Sequence, residues 1–167
     1  MSERPQLVAQ LAERLRALGW RVACAESCTG GLVAAACTDL AGSSDWFERG
    51  VVSYSNAAKV ALLGVPQSLI EAHGAVSDAV ARAMVEGIAR TSGADLAVSV
   101  TGIAGPGGAT PTKPVGTVWF GFAVRRRDGT LQVDSQHRRF DGDRAEVRAA
   151  SVDHALRGLL HRAQLMP

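Results

Sequence analysis

The chain has 167 residues, of which 47% are apolar and 20% are charged, a length and composition typical of one folded domain. Its 18 basic and 16 acidic side chains give a formal charge of +2, which disfavours the sustained basic face of a nucleic-acid-binding protein. No segment reaches the roughly 20 apolar residues of a membrane span, and the N-terminus lacks the apolar core of a signal peptide. The sequence therefore predicts a cytoplasmic protein with neither a nucleic-acid partner nor a membrane partner.

The cysteines and acidic residues argue against covalent or metal cross-links. Cys24, Cys28 and Cys37 are odd in number and form no Cys-x-x-Cys pair, so neither a disulfide scaffold nor a zinc knuckle is indicated. Reduced thiols are expected, as in most cytoplasmic proteins. Acidic residues are scattered and no histidine motif for a metal is present, so no metal and no cofactor are predicted.

The first predicted elements are a helix, a strand and a second helix. Leucines recur at helical spacing from Leu7 to Leu18, and Gly19 is suited to end that helix. The apolar run at 22–25 predicts a buried strand, and residues 32–37 predict a helix. The segment between them is therefore a tight strand-to-helix turn, which is expected to leave backbone N–H groups unpaired at the helix start.

Two capped helices are predicted in the middle of the chain. Val51–Tyr54 is a strand candidate, and Ser55 can cap a helix over 56–63. Ser77 can cap a further helix, which Gly93 would end.

The last third predicts three strands and a helix. Residues 96–100 form a strand, and the Gly/Pro-rich segment 101–114 is a long loop, of a length that is usually functional or mobile. Residues 115–140 predict a β-hairpin. Asp143 and Glu146, three residues apart, indicate a capping box at the start of the last helix.

Strands that alternate with helices, followed by a hairpin, favour an α/β fold. Neither a repeat nor a linker interrupts the pattern. We predict one three-layer α/β/α domain over residues 1–167, with a mixed, mainly parallel sheet.

The strand-to-helix turn is the strongest local indication of chemistry. Ser27 on such a turn is placed as an exposed nucleophile, with the amides that follow it facing a developing oxyanion. Gly30 and Gly31 allow the backbone to approach a ligand closely. One alternative is that Ser27 or Thr29 only caps the helix. Another is that Cys28 is the nucleophile, although free cysteines more often pack as small apolar residues.

A serine nucleophile needs a base. Lys59 lies in an apolar segment, and burial there would lower its pKa toward neutrality. The alternative is a surface lysine on an amphipathic helix. Histidine is the usual base, but none of the four stands in a distinctive context: His73, His137, His154 and His161.

Two features favour binding of an anion. The glycine-rich segment 102–108 can offer backbone amides, but it lacks the lysine of a P-loop and does not complete a dinucleotide fingerprint. Arg144 and Arg148 lie one turn apart near a helix start, where like charges and the helix dipole disfavour them. An anionic partner would relieve both penalties, and that partner is either a phosphate or the neighbouring carboxylates at 141–146.

Seven short segments follow one another at fitting separations: Ala25–Gly31, Gly42–Ser44, Phe47–Gly50, Tyr54–Lys59, His73–Ser77, Thr101–Gly108 and Lys113–Trp119. Together they resemble the C-terminal domain of the CinA family. The similarity is dense from Ala25 to Trp119 and looser toward both ends, where Gly142–Arg144 and Arg148 still fit.

The resemblance implies an amidohydrolase of pyridine-nucleotide salvage, which converts nicotinamide mononucleotide and water to nicotinic acid mononucleotide and ammonia. It implies a serine–lysine mechanism, with Ser27 as nucleophile, Lys59 as base and Tyr54 assisting in the pocket. The alternatives are a non-catalytic nucleotide-binding domain and a competence- or damage-related interaction domain, and a homo-oligomer is left open. The resemblance and the residue patterns together predict eight substrate-binding residues: Thr29, Gly30, Gly31, Thr101, Gly102, Gly105, Arg144 and Arg148.

Overall fold

A computed structural model describes residues 2–167 and places five strands among six α-helices. The elements are α1 (Arg4–Leu18), β1 (Val22–Glu26), α2 (Leu32–Thr38), β2 (Phe47–Val52), α3 (Asn56–Leu63), α4 (Gln67–His73), α5 (Asp78–Ser92), β3 (Leu96–Gly102), β4 (Thr117–Arg125), β5 (Leu131–Arg139) and α6 (Arg144–Gln164). None of the helices described is long and apolar enough to cross a membrane.

All five strands form one sheet in the order β2-β1-β3-β4-β5. Strand β1 pairs in parallel with β2 and β3, whereas β4 pairs antiparallel with β3 and β5. The predicted mixed sheet is confirmed. The expectation that the sheet is mainly parallel is corrected: two pairs are parallel and two are antiparallel, because the predicted hairpin contributes one antiparallel pair and docks on β3 through another.

Helices cover both faces of the sheet, so the predicted three layers are confirmed. Helices α1, α2 and α6 pack on one face, and α3, α4 and α5 pack on the other. Side chains of β1 alternate between the layers, as a strand with a two-residue period requires. Cys24 joins the first core, while Ala23 and Ala25 join the second. A strand that is buried on both faces carries apolar residues at consecutive positions, and this is why the continuous apolar run in the sequence predicts it.

The predicted helix boundaries are largely correct. Helix α1 ends at Gly19, which takes a left-handed φ of 68°. Ser55 and Ser77 cap α3 and α5 through their hydroxyls. Asp143 and Glu146 form the predicted capping box at the start of α6.

Two elements differ from the prediction. The strand expected at Val51–Tyr54 runs instead over Phe47–Val52, because β2 is an edge strand. Its charged residue Glu48 forms ion pairs with Arg21 and Arg49. The charges at 48 and 49 interrupt the apolar pattern from which a strand is predicted. Helix α4 is not predicted from the pattern, because Ile70 is its one buried side chain.

The topology places a crevice at the carboxyl ends of β1 and β3. From β1 the chain passes to β2 on one side, then crosses back through α3, α4 and α5 to β3 on the other side. Open α/β sheets bind ligands at such a point of reversal. Ser27 directly follows β1, Ser53 and Tyr54 follow β2, and Gly102 ends β3, so the candidate residues converge at this edge.

Candidate active site

The turn that carries Ser27 joins β1 to α2 and is hydrogen-bonded to the sheet where it begins. The Ser27 N–H donates to the Val100 carbonyl of β3 at 2.9 Å, and the Gly30 N–H donates to the Ser27 carbonyl at 3.0 Å. Gly30 and Gly31 have φ values of 58° and 103°, a region that favours glycine. The turn therefore needs both glycines for its shape.

The first amides of α2 are not free, contrary to the prediction. Both carboxylate oxygens of Glu26 accept hydrogen bonds from this helix start, from the N–H groups of Gly31, Val33 and Ala34. The alternative that Ser27 or Thr29 caps the helix is therefore wrong. The sequence gives no local indication of this arrangement, because Glu26 precedes the helix by six residues.

Lys59 lies against Ser27 and is not a surface lysine. Its side chain is buried, with 1% of its surface exposed. Its Nζ lies 3.0 Å from Ser27 Oγ, 3.1 Å from the Ser53 carbonyl oxygen and 3.0 Å from the Tyr54 carbonyl oxygen. Helix α3, capped by Ser55, therefore aims Lys59 at the end of β1.

Burial lowers the pKa of Lys59 from its ordinary value of 10.5, and the nearby Cys28 opposes that change. No carboxylate forms an ion pair with Lys59 among residues 2–167. A buried amine without a counter-ion favours its neutral form, which is the form a base requires.

The pKa of the Cys28 thiol is raised, whereas that of Lys59 is lowered. Burial and the Glu26 carboxylate raise the pKa of its thiol to about 11, although Arg148 and Lys59 lower it. The reactive form of cysteine is the thiolate, so at neutral pH Cys28 is a weak competitor of Ser27.

A cavity of about 190 Å³ opens onto the pair. Six predicted site residues line it: Ser27, Tyr54, Lys59, Thr101, Gly102 and Arg144. The wall also contains Cys28, the alternative nucleophile, and four residues that the sequence does not predict: Asn56, Ala75, Val76 and Ala104. The signal for Asn56 is its place in the sequence, since it opens α3 three residues before Lys59.

The remaining predicted residues do not line this cavity. Gly30 and Gly31 shape the turn, and the Gly105 carbonyl binds a guanidinium. Thr29 is buried, and its hydroxyl has no hydrogen-bond partner in the described part of the chain. Thr101 contributes to the wall by donating its hydroxyl to the Ala75 carbonyl at 2.9 Å.

The two arginines have separate positions. Arg144 donates to the Gly105 carbonyl at 2.9 Å and to the Tyr54 hydroxyl at 3.0 Å, at the mouth of the cavity. Arg148 donates to the carbonyls of Cys28 and Thr29 at 3.1 and 3.4 Å, behind the turn. Neither forms the ion pair with acids at 141–146 that was weighed as an alternative.

The four histidines do not line the cavity. His154 packs against Phe120 and accepts or donates a hydrogen bond at Gln136. Burial, with nearby arginines, lowers its pKa to about 4, so it is neutral at physiological pH. Over residues 2–167, no group of three or more His, Cys, Asp or Glu side chains is arranged to hold a metal ion.

A larger cavity of about 600 Å³ lies at the other end of the strands, beside Trp20, Asp95 and Arg125. Trp20 and Asp95 precede β1 and β3, and Arg125 ends β4. This cavity contains arginines but no nucleophile beside a base. The smaller cavity is therefore the candidate active site, since chemistry depends on the pairing of groups more than on volume.

The sequence profile described as the CinA C-terminal domain matches residues 4–163. The chain belongs to this family. It is 53% identical over 155 residues to a nicotinamide-nucleotide amidohydrolase PncC of Enterobacter agglomerans, covering 93% of this chain and 92% of that one. It is 54% identical over 145 residues to a CinA-like protein of Chlorobaculum tepidum, covering 87% of this chain but 34% of that longer protein.

Solved structures agree with this membership. The crystal structure of the competence damage-inducible protein A from Klebsiella pneumoniae superposes with a TM-score of 0.93 at 38% identity, covering 99% of this chain and 100% of that one. The resemblance noted in the sequence is thereby confirmed for this CinA domain.

Proposed function

We propose that this CinA domain hydrolyses the carboxamide of nicotinamide mononucleotide to nicotinic acid mononucleotide and ammonia, with Ser27 as nucleophile and Lys59 as base. The observation that carries the proposal is the 3.0 Å approach of the buried Lys59 Nζ to Ser27 Oγ. The near full-length similarity to a protein named for this activity supports the choice of substrate.

In its neutral form Lys59 can keep its contacts and still act as a base. A neutral amino group has two hydrogens and one lone pair, and two carbonyl oxygens, of Ser53 and Tyr54, are placed to accept the hydrogens. In that form the lone pair can accept the hydroxyl hydrogen of Ser27, whose Oγ also lies 3.4 Å from the Tyr54 carbonyl oxygen in the resting structure. The pair thus requires no histidine and no carboxylate to orient the base.

The reaction follows as two acyl transfers. The Ser27 hydroxyl gives its proton to Lys59 while Oγ attacks the carboxamide carbon. The C–N bond then breaks, and Lys59 returns that proton to the leaving nitrogen, which departs as ammonia. A water molecule next attacks the acyl ester, giving a proton to Lys59. Collapse releases the carboxylic acid, and Ser27 takes the proton back.

The turn itself supplies donors for the oxyanion. The N–H groups of Cys28 and Thr29 have no acceptor among the hydrogen bonds of the described residues, whereas those at the start of α2 are occupied by Glu26. Backbone donors next to a nucleophile stabilise the charge that develops on the carbonyl oxygen. We assign the oxyanion site to these two amides.

The cavities fit a substrate in two parts. The 190 Å³ cavity is smaller than the roughly 300–1,000 Å³ pockets that enclose a drug-sized ligand, so it suits one ring with its carboxamide. A second cavity of about 590 Å³ adjoins it and shares Ala104 and Arg144. We place the ribose and phosphate there, with Arg144 as the phosphate ligand, and the reaction in the cytoplasm.

Purified protein is expected to release ammonia from nicotinamide mononucleotide without an added cofactor. Release should continue in EDTA, because the proposed serine–lysine pathway uses no metal. Ammonia and nicotinic acid mononucleotide would be measured together, with Ser27→Ala protein as the blank. Activity lost to EDTA and restored by zinc or manganese would contradict the mechanism. Tight binding of the nucleotide without ammonia would support the non-catalytic alternative.

A further inference from the structure

Glu26 is a buried carboxylate directly before the nucleophile. Its exposed fraction is 0%, and it forms no ion pair with any residue in the range 2–167. A buried carboxylate without a cation is retained only where hydrogen bonds compensate for lost hydration. Here the bonds come from backbone N–H groups, at 3.2 Å from Gly31, 2.9 Å from Val33 and 3.0 Å from Ala34, and from the Cys24 thiol at 3.7 Å.

The main chain of the same residue reaches the other half of the catalytic pair. The Glu26 carbonyl accepts the Ser53 N–H at 2.8 Å and the Ser53 hydroxyl at 3.3 Å. The Ser53 carbonyl in turn accepts a hydrogen from Lys59 Nζ at 3.1 Å. Glu26 is therefore bonded on one side to the helix that follows Ser27 and on the other to the segment that holds Lys59.

We propose that Glu26 is a positioning residue that fixes the turn carrying Ser27 so that Oγ meets Lys59 Nζ. The inference rests on the serine–lysine function proposed above. Helix α2 has no other side-chain cap, since its N-cap residue is Gly31. Without the carboxylate, the adjacent residues Gly30 and Gly31 would allow the turn to adopt other conformations. The 3.0 Å contact between Ser27 Oγ and Lys59 Nζ would then be absent from a fraction of the molecules.

Both oxygens are needed for this role. Glutamine keeps the length of the side chain but has one oxygen, and its amide hydrogens would face one of the N–H groups that Glu26 now accepts. Aspartate is shorter by one methylene and does not reach the same amides. The substitution Glu26→Gln thus removes the positioning role of the carboxylate with little change in side-chain volume, whereas Glu26→Ala removes every hydrogen bond of the side chain.

The test compares wild type, Glu26→Gln, Glu26→Ala and the control Glu48→Gln. Glu48 is a carboxylate on the neighbouring strand β2 that accepts hydrogen bonds from Arg21 and Arg49 and does not line the cavity. The folded fraction of each protein is measured by circular dichroism. Two readouts are then expressed per folded molecule: kcat and KM for nicotinamide mononucleotide, and the rate at which Ser27 is labelled by a fluorophosphonate.

We expect Glu26→Gln to lower both kcat and the labelling rate by at least tenfold, with KM within about twofold of wild type, and Glu26→Ala to lower them further. Glu48→Gln should leave both rates unchanged. A structural role alone would lower activity only in proportion to the folded fraction. Folded Glu26→Gln with both rates within twofold of wild type would overturn the proposal, as would unfolding of both variants at the assay temperature. If wild type is labelled at Ser27 yet releases no ammonia, the proposed function fails, while labelling still tests Glu26.

Discussion

Replacing Ser27 with alanine or Lys59 with methionine is expected to lower kcat for nicotinamide mononucleotide by more than about 10³-fold, since catalytic groups that act as a unit are lost together. The double variant should be only slightly worse than either single one for the same reason. Steady-state ammonia release at saturating substrate measures this, with circular dichroism to confirm that each variant is folded.

The matched control is Cys28→Ala, which should retain substantial activity. Cys28 lines the same cavity, but the raised pKa of its thiol, about 11, keeps it protonated at neutral pH. An inactive Cys28→Ala together with an active Ser27→Ala would identify the cysteine as the nucleophile and contradict the assignment.

Loss of Arg144 is expected to reduce the preference for the mononucleotide over the dephosphorylated riboside by about 10- to 100-fold, because a charge-assisted hydrogen bond contributes roughly 1.5–3 kcal/mol. Arg144 is the arginine that lines the cavities. Asp143 already accepts the Glu146 amide at the start of α6, so that amide is occupied, and the guanidinium is the charged donor that we assign to the phosphate. The measurement is kcat/KM for both substrates in wild type and Arg144→Ala.

Arg148→Ala provides the comparison. The Arg148 guanidinium binds the Cys28 and Thr29 carbonyls, so its removal should lower kcat/KM for mononucleotide and riboside by similar factors. The sequence-based expectation that both arginines bind phosphate stays a prediction for Arg148, and a selective loss of mononucleotide use in Arg148→Ala would support it. An unchanged ratio in Arg144→Ala would remove Arg144 from the phosphate site.

Local patterns were enough to predict most elements and the nucleophile turn. The run before Ser27 has the apolar character of a strand buried on both faces, and Ser55 and Ser77 have the side chains that cap helices. The edge strand β2 was misplaced, because an edge tolerates charged residues such as Glu48 and Arg49 that obscure the pattern of a strand.

The contacts that define the candidate site are long-range, and a single sequence does not encode them in any local spacing. Burial of Lys59 depends on contacts such as that with Ser27, which lies 32 residues away along the chain. The role of Glu26 depends on the direction of its side chain after β1 ends. The resemblance to a family points to Lys59 as the base, whereas the residue pattern alone favours a surface position for it.

The pH dependence of kcat/KM tests most directly whether burial makes Lys59 a neutral base for Ser27. Burial lowers the pKa of Lys59 from 10.5, and deprotonation activates the base. In protein shown to be folded throughout, kcat/KM should therefore rise with pH through a single limb whose midpoint lies below 10.5, and then level off. A rate that falls from neutral to alkaline pH without a rising limb, or a midpoint at or above 10.5, would contradict the account.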